Sequence, residues 1–303
     1  MRRLFVLLLI GGAALPLPAA PLQAGPSGLQ GYWPLDSLAG GSSPDLSGNA
    51  NTLTVSGPTA LVPGTFGNAA TFDNTDDQMT AANAASLNVG SAGFTVSAFV
   101  RPSAALQDRV VNKWNGSMGW ILDINETTGG AVMANYLRMR FGDGTTNVDY
   151  SFNGNLGTNV WHHVAGVVDR SGAQLRLYVD GTQIGTSQAI PGALGSLSNT
   201  AQLGVGNIPT NPGSPFGGGM DEIRFYTRAL TAGEVAVVAA GVPGPVLTSA
   251  TPGLETVTLV WTAPGGGATS YTLQRSDTPG TGYVTVASGL TGTTYTDVNV
   301  PAT

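Results

Sequence analysis

The run 161–181, WHHVAGVVDRSGAQLRLYVDG, leaves a chain little choice of fold. Leu175, Leu177 and Val179 alternate with Gln174, Arg176, Tyr178 and Asp180, the period-two pattern of a strand with one wet face. The residues before them are apolar on both faces: Trp161, His163, Ala165 and Val167 on one, Val164 and Val168 on the other. A strand of that kind belongs inside a sheet, not at its edge. Asp169-Arg170-Ser171-Gly172 supplies the reversal, and Asp180-Gly181 opens the next turn. The expected product is the central hairpin of an all-β, two-sheet antiparallel sandwich.

Further strand signals flank it. FTVSAFVRP (94–102) alternates and stops at a proline. VVNKWN (110–115) and GWILDIN (119–125) follow, and NYLRMRF (135–141) and NVDYSF (147–152) flank the turn GDGTT. AQLGVGN (201–207) and GGMDEIRFY (218–226) close the series. Upstream, LQGYWPLDSLAG (29–40) begins the first strand, DLSGNAN (45–51) has the composition of a side-chain-capped turn, and FGNAATFDNTDDQMT (66–80) runs from a strand into an acidic loop. Thr231 and Glu234 form a capping box, which predicts one short C-terminal helix over 231–240 ended by Gly241.

The first 24 residues, two arginines before a short apolar run and then prolines and small residues, predict a secretory signal peptide cut after Ala24. The apolar run is too short to span a bilayer, so no membrane span is expected after cleavage. With no cysteine there is no disulfide, no thiolate metal site and no lipid-modified cysteine. The chain has 12 cationic side chains against 18 acidic ones, and Arg2 and Arg3 leave with the leader. So acidic a chain is not built for nucleic acid or anionic membranes. Its 44 glycines and 19 prolines suit many short strands joined by tight turns.

The linker GVPGP (241–245) precedes a different segment, 246–303, in which VLTSATPG, TVTLVWTAP, TSYTLQRS, YVTVASG and TTYTDVNV recur as short strands. This segment resembles the front half of a fibronectin type III domain, a partial immunoglobulin-like β-sandwich. Further domains are expected beyond Thr303.

Residues 29–240 resemble a concanavalin A-like, laminin-G-like jelly roll, and the domain is placed at 25–240. The likeness rests on an ordered set: WPLD (33–36), DLSGN (45–49), Phe66-Gly67 with ATFD (70–73), FTVSA (94–98), WHHVA (161–165), YVDG (178–181), and GMDEIRFY (219–226) followed by Arg228-Ala229-Leu230. The resemblance implies an exported, typically non-catalytic module that binds glycans or proteins. It also implies a structural calcium on Asp221 of the last strand, with carbonyls near the N-terminal strand completing the site. Asp36 lies in the stretch that would approach it. A hard cation takes several oxygens, and carbonyls with one or two carboxylates suit it.

Other candidates are weighed on the residues alone. Tyr136, Arg138 and Arg140 share a strand face, and Trp114 lies just upstream; an aromatic plane beside guanidinium donors is a means of holding a sugar, against the plainer reading of a solvated sheet face. Asp73, Asp76 and Asp77 crowd one loop that lacks the glycine and terminal glutamate of an EF-hand, and read as a solvated turn. Asp123 and Glu126 are three apart, which puts them on opposite faces of a strand and disqualifies them as a glycosidase pair. His162 and His163, being adjacent, cannot both face one metal; one is expected packed and one hydrogen-bonded at the surface. Trp33, Trp120 and Trp161 are assigned to the core.

The sequence therefore predicts a secreted, calcium-stabilised, non-catalytic module of bacterial type, acting outside the cell or at its surface on carbohydrate or a cell-surface glycan. The alternatives are a structural or adhesive spacer that binds an extracellular surface protein, and a divergent polysaccharide-degrading enzyme.

Overall fold

The computed structural model describes residues 5–9, 26–57, 59–104, 108–125, 127–128, 131–210, 212–241, 246–253, 256–262, 271–276 and 284–298. The chain divides into two compact units, Ser27–Ala240 and Met1–Pro26 with Gly241–Thr303. Among the described residues, no helix is long and apolar enough to cross a membrane.

The larger unit is a sandwich of two eight-stranded antiparallel sheets. The front sheet runs, edge to edge, Asn147–Asn153, Tyr136–Asp143, Met118–Ile124, Asp108–Trp114, Leu203–Val205, Gln78–Ala81, Leu53–Ser56 and Ser42–Ser43. The back sheet runs Thr182–Ala189, Gln174–Val179, His162–Asp169, Phe94–Pro102, Gly217–Tyr226, Asn68–Asp73 and Ala60–Pro63, and Leu29–Trp33 pairs with Gly217–Tyr226. Alternation turns one side of every strand into a shared core between the sheets. Leu137, Met139 and Phe141 of the front sheet and Val96, Val164, Leu177, Ile223 and Phe225 of the back sheet are buried there. Trp120 bridges the layers, stacked on Phe225 at 5.3 Å between centroids and beside Phe94 at 5.7 Å.

The predicted hairpin is present. His162–Asp169 pairs with Gln174–Val179 on one side and with Phe94–Pro102 on the other, so it is an interior strand. Its second apolar face has a partner too: Ala165 and Val167 lie with Tyr178 and Tyr226 against Leu230, Val235 and Val238 of the helical end. The helix Ala232–Ala239 begins on Thr231 with both arms of the capping box made, and Gly241 follows it with φ 60°. Tyr178 is therefore buried, where alternation alone placed it on a wet face.

The structure adds strands the sequence reading did not place, Leu53–Ser56, Ala60–Pro63 and Thr182–Ala189. Thr182–Ala189 lies at the edge of the back sheet and is mostly polar and exposed, with only Ile184 packed on the core, so it carries little alternation to read. Trp161 is not core. It precedes the strand on the same outer face as His163; its indole lies across Gly219, where a Cβ would come within 2.7 Å of the ring, and the Arg101 guanidinium sits 5.2 Å from the ring centroid. The expected turn at Asp45 is built by its carboxylate, which accepts from the backbone N–H groups of Tyr32, Ser47 and Asn51.

The smaller unit holds two three-stranded sheets. One joins Val246–Pro252, Val257–Thr262 and Thr294–Asp297; the other joins Phe5–Leu9, Tyr271–Ser276 and Val284–Leu290. Its core is Val257, Leu259, Trp261, Tyr271 and Leu273, with Trp261 and Tyr271 edge to face at 5.3 Å. The run Phe5–Leu9, expected to leave with the signal peptide, is placed as an edge strand antiparallel to Tyr271–Ser276. Sheet edges carry unpaired backbone groups, and any extended apolar run satisfies them.

Candidate functional site

Two polar faces stand out on the sandwich, one outside each sheet. The back-sheet face is shaped by an irregularity in Gly217–Tyr226. Asp221 pairs with Phe99 but Arg224 with Ser97, so three steps on one strand match two on the other. The extra residue is Glu222, a non-glycine at φ 56°. This bulge shifts the side-chain parity. Met220, Ile223 and Phe225 face the core, while Asp221 and Glu222, although adjacent, both leave it. Tyr32 donates its hydroxyl to Glu222 at 3.0 Å, Arg224 pairs with the same carboxylate, and the Arg224 guanidinium lies 4.4 Å from the Tyr32 ring centroid.

Asp221 is fully buried. Its Oδ2 accepts from the backbone N–H groups of Thr65 at 2.8 Å and Phe66 at 3.0 Å, while Oδ1 has no hydrogen-bond partner. Gly64 makes room for this approach, since a Cβ there would lie 2.5 Å from Oδ2. Burial pushes the Asp221 carboxyl up to about 8, and the Glu222 and Asp36 carboxylates push the same way. Asp36 follows the Leu29–Trp33 strand; it accepts from the Asn68 N–H at 2.7 Å, and burial raises its pKa as well. The structure thus brings the two predicted metal residues into one electrostatic neighbourhood. Asp221 Oδ1, buried and without a partner, is the kind of oxygen a hard dication takes, and the Asp36 carboxylate is near enough to be felt electrostatically.

His163 lies on the same outer face, fully buried edge-on to Phe99, with both ring nitrogens lacking partners. Burial, with a smaller contribution from Arg224, pushes its pKa down to about 3. His162, its neighbour, meets the Asp180 carboxylate at the surface at 2.8 Å. The pair divides as expected, one packed and one hydrogen-bonded. An unfolded histidine titrates near 6.5, so between pH ~6.5 and ~3 the unfolded chain binds a proton that the folded chain refuses. Stability should therefore fall as pH drops through that window and be indifferent to this group above it. The buried carboxyls Asp221 and Asp108, the latter pushed to about 7 mainly by burial, act oppositely: the folded chain keeps their protons above pH 3.8, so their contribution falls as pH rises. A comparison of thermal melts with His163→Phe isolates the histidine. The melting temperatures of variant and parent should converge towards the variant's favour steadily from pH 6.5 to 4.5; a constant difference across that range refutes the assignment.

The front-sheet face gathers the predicted ligand residues. Tyr136, Arg138 and Arg140 point away from the core, opposite Asn153, Ser151 and Asp149 on the neighbouring strand. Arg138 is not an open donor: it clasps Asp123 with Nε–Oδ1 2.8 Å and Nη2–Oδ2 2.6 Å, and Arg109 pairs with the same carboxylate. Trp114 is almost wholly buried against Ile121 and Ile208, and the Arg140 guanidinium lies 5.0 Å from its ring centroid. Tyr136 is half-buried at the end of the row. So Arg140 and Trp114 come together, Arg138 serves Asp123, and Trp114 presents no free ring face of the expected kind. The sequence reading missed Asp123 and Arg109 as members of this face; Asp123 was weighed only against Glu126, which lies outside the described residues. The cross-strand register that links Arg109, Asp123 and Arg138 in one row is a tertiary fact. Both oxygens of fully buried Asp123 accept from guanidinium groups, which leaves it unsuited to general acid–base work.

Asp73, Asp76 and Asp77 bring carboxylate oxygens within 4.8 Å of one another. Asp77 is buried and accepts from the Asp73 N–H at 2.8 Å, and Asp73 accepts from the Thr75 N–H, so the loop closes on its own acids as a turn.

Two antiparallel sheets around one core, with a short helix on the back sheet, define a jelly-roll sandwich. The family model described as the concanavalin A-like lectin/glucanases superfamily, in its laminin G form, matches residues 73–236, more than half of the chain, and the chain belongs to that superfamily. Among solved structures, the binding domain of Paraclostridial Mosquitocidal Protein 1 aligns with TM-score 0.57 at 15% identity, over 85% of this chain and 73% of that one. Domain 4 of AbnA, a GH43 extracellular arabinanase from Geobacillus stearothermophilus solved with arabinotriose, aligns with TM-score 0.52 at 20% identity, over 70% and 98%. The botulinum neurotoxin serotype D binding domain aligns with TM-score 0.56 at 15% identity, over 86% and 69%. At these identities the likeness is one of fold. No curated protein matches the chain.

Proposed function

We propose that this chain is an exported, non-catalytic binding module that recognises carbohydrate, held together in part by a calcium ion on Asp221 and Asp36. The observation that carries the reading is the state of the front-sheet face. Asp123, buried on this face, is committed to two arginines, and what remains accessible among the described residues is a row of polar and charged groups without a reactive pair: Tyr136, Arg140, Asp149, Ser151 and Asn153. A surface of hydrogen-bond donors and acceptors on rigid strands suits holding a sugar chain, and among the described residues it lacks the two facing carboxyls that breaking one requires. Two of the fold neighbours are described as binding domains and a third, a domain of an arabinanase, was solved with arabinotriose, which supports the same reading. The leader at 1–24 and a partial fibronectin type III-like segment at 246–303 complete the proposal and place the module outside the cell within a larger protein.

Affinity electrophoresis against neutral and acidic polysaccharides tests it. Retardation by at least one polymer, with no release of reducing ends, is the expected result. No retardation by any polymer would favour the protein-binding spacer, and released reducing ends lost in Asp123→Asn would restore the enzyme.

A further inference from the structure

The front-sheet face is electrostatically out of keeping with its chain. The protein as a whole has 18 acids against 12 cations. Yet the outward positions of the Asp108–Trp114, Met118–Ile124, Tyr136–Asp143 and Asn147–Asn153 strands carry three arginines, Arg109, Arg138 and Arg140, against two aspartates, Asp123 and Asp149. The three arginines differ in their commitments. Arg109 and Arg138 share Asp123. Arg140 is held only loosely among the described residues: its Nε is buried without a hydrogen-bond partner, it forms a long ion pair with Asp149 Oδ2 at 3.9 Å, and its side chain is 37% exposed. It is held over the buried Trp114 indole by its positive charge, which positions the guanidinium without using its N–H groups. Asp149, 42% exposed, accepts from Arg138 Nη1 at 3.5 Å and lies 3.9 Å from Arg140 Nε, so it is the carboxylate among these outward groups within ion-pair reach of Arg140.

We infer that this face carries a subsite for an anionic sugar, carboxylated or sulfated, with Arg140 as the group that meets the charge and Asp149 as the competitor that limits the affinity. The inference rests on the binding reading given above and adds the class of ligand. With Nε buried, it is the outer Nη groups of this part-exposed guanidinium that match the two oxygens of a carboxylate or sulfate. Because Trp114 is buried beneath Arg140 and offers no open ring to stack a neutral pyranose, charge takes the place of stacking on this patch.

The test is affinity electrophoresis of the full chain in gels containing polygalacturonate, dextran sulfate or debranched arabinan, at low and high salt. Retardation by polygalacturonate or dextran sulfate, relaxing as salt rises, is expected, and which of the two retards identifies carboxylate or sulfate. Arg140→Ala should weaken the interaction about tenfold or more, the ordinary effect of losing a charge-assisted contact. Arg140→Lys should recover part of it, and Asp149→Asn should strengthen it. Since Arg140 and Asp149 are both partly exposed, their variants are expected to melt with the parent, and a matched thermal melt accompanies each. Retardation by arabinan alone overturns the anionic subsite while leaving the binding module standing. Anionic retardation that Arg140→Ala leaves unchanged, or that Asp149→Asn weakens, overturns the subsite as well. No retardation in any of the three gels overturns it too, and the wider polysaccharide panel then decides the module's own fate.

Discussion

Replacing Asp123 by alanine is expected to destabilise the sandwich by about 3–5 kcal/mol, the usual cost of leaving a buried charge without its partner. The side chain is wholly buried, and two guanidiniums converge on it from the strands on either side. Arg138 is itself almost fully buried and clasps the carboxylate through two N–H groups. Removing Asp123 therefore takes from two like charges the buried acid they share, leaving Arg138 its longer contact with part-exposed Asp149 at 3.5 Å. Arg109→Ala should cost much less, because the Arg138–Asp123 clasp survives it. Changing Asp123 and Arg138 together to leucine and methionine should restore part of the loss, since the desolvation penalty of both charges goes with them while Arg109, 15% exposed, keeps some access to water. Urea denaturation of the three variants reads this directly. An Asp123→Ala variant within about 1 kcal/mol of the parent would show that the row is solvated and only loosely paired.

Asp221 carries the second large effect. Its alanine variant loses the acceptor for two backbone N–H groups and should be destabilised by about 2–4 kcal/mol even in a metal chelator. Asp221→Asn keeps an oxygen for those amides and separates the two roles. If the buried carboxylate holds calcium, the parent should melt on the order of 5–10 °C higher at saturating calcium than in chelator, as binding to the folded state alone predicts. Asp221→Asn should fold and lose that difference. The response should also depend on pH: the metal competes with a proton that burial holds on the carboxyl up to about pH 8, so calcium should bind more weakly as pH falls below that value. A parent melt that chelator leaves unchanged removes the metal from the account, and Asp221 is then a neutral acid capping the 65–66 turn.

Much of this architecture was legible in the residues, for identifiable reasons. The 161–181 hairpin carries a strict period of two, and only a sheet satisfies it. The capping box at Thr231 and Glu234 is a local hydrogen-bond pattern needing nothing outside four residues. Adjacent histidines diverge in a strand because successive side chains must. The ordered likeness to a jelly roll then supplied the sandwich. What failed to read did so where alternation was absent or its consequence lay elsewhere. Thr182–Ala189 is mostly polar, as an edge strand can be, with Ile184 alone packed on the core. Trp161 is expected in the core, yet the face it shares with His163 is the outer one, and its indole lies over Gly219.

The candidate sites divide the same way. Sequence alone determined that Tyr136, Arg138 and Arg140 share a face, that Asp221 stands in the last strand of the domain, and that the chain has no thiol chemistry, because strand parity and composition are properties of the linear chain. It did not determine which arginine is occupied and which is available. That depends on the register that sets Arg109, Asp123 and Arg138 side by side and seats Arg140 over Trp114. Nor did it reveal that Asp221 and Glu222 leave the core on the same side, since a single residue at φ 56° inserts the half-step that alternation forbids. Only the tertiary structure decides such matters, because charge pairing and burial are set by groups far apart in the chain, whereas the period of a strand is set by its own backbone.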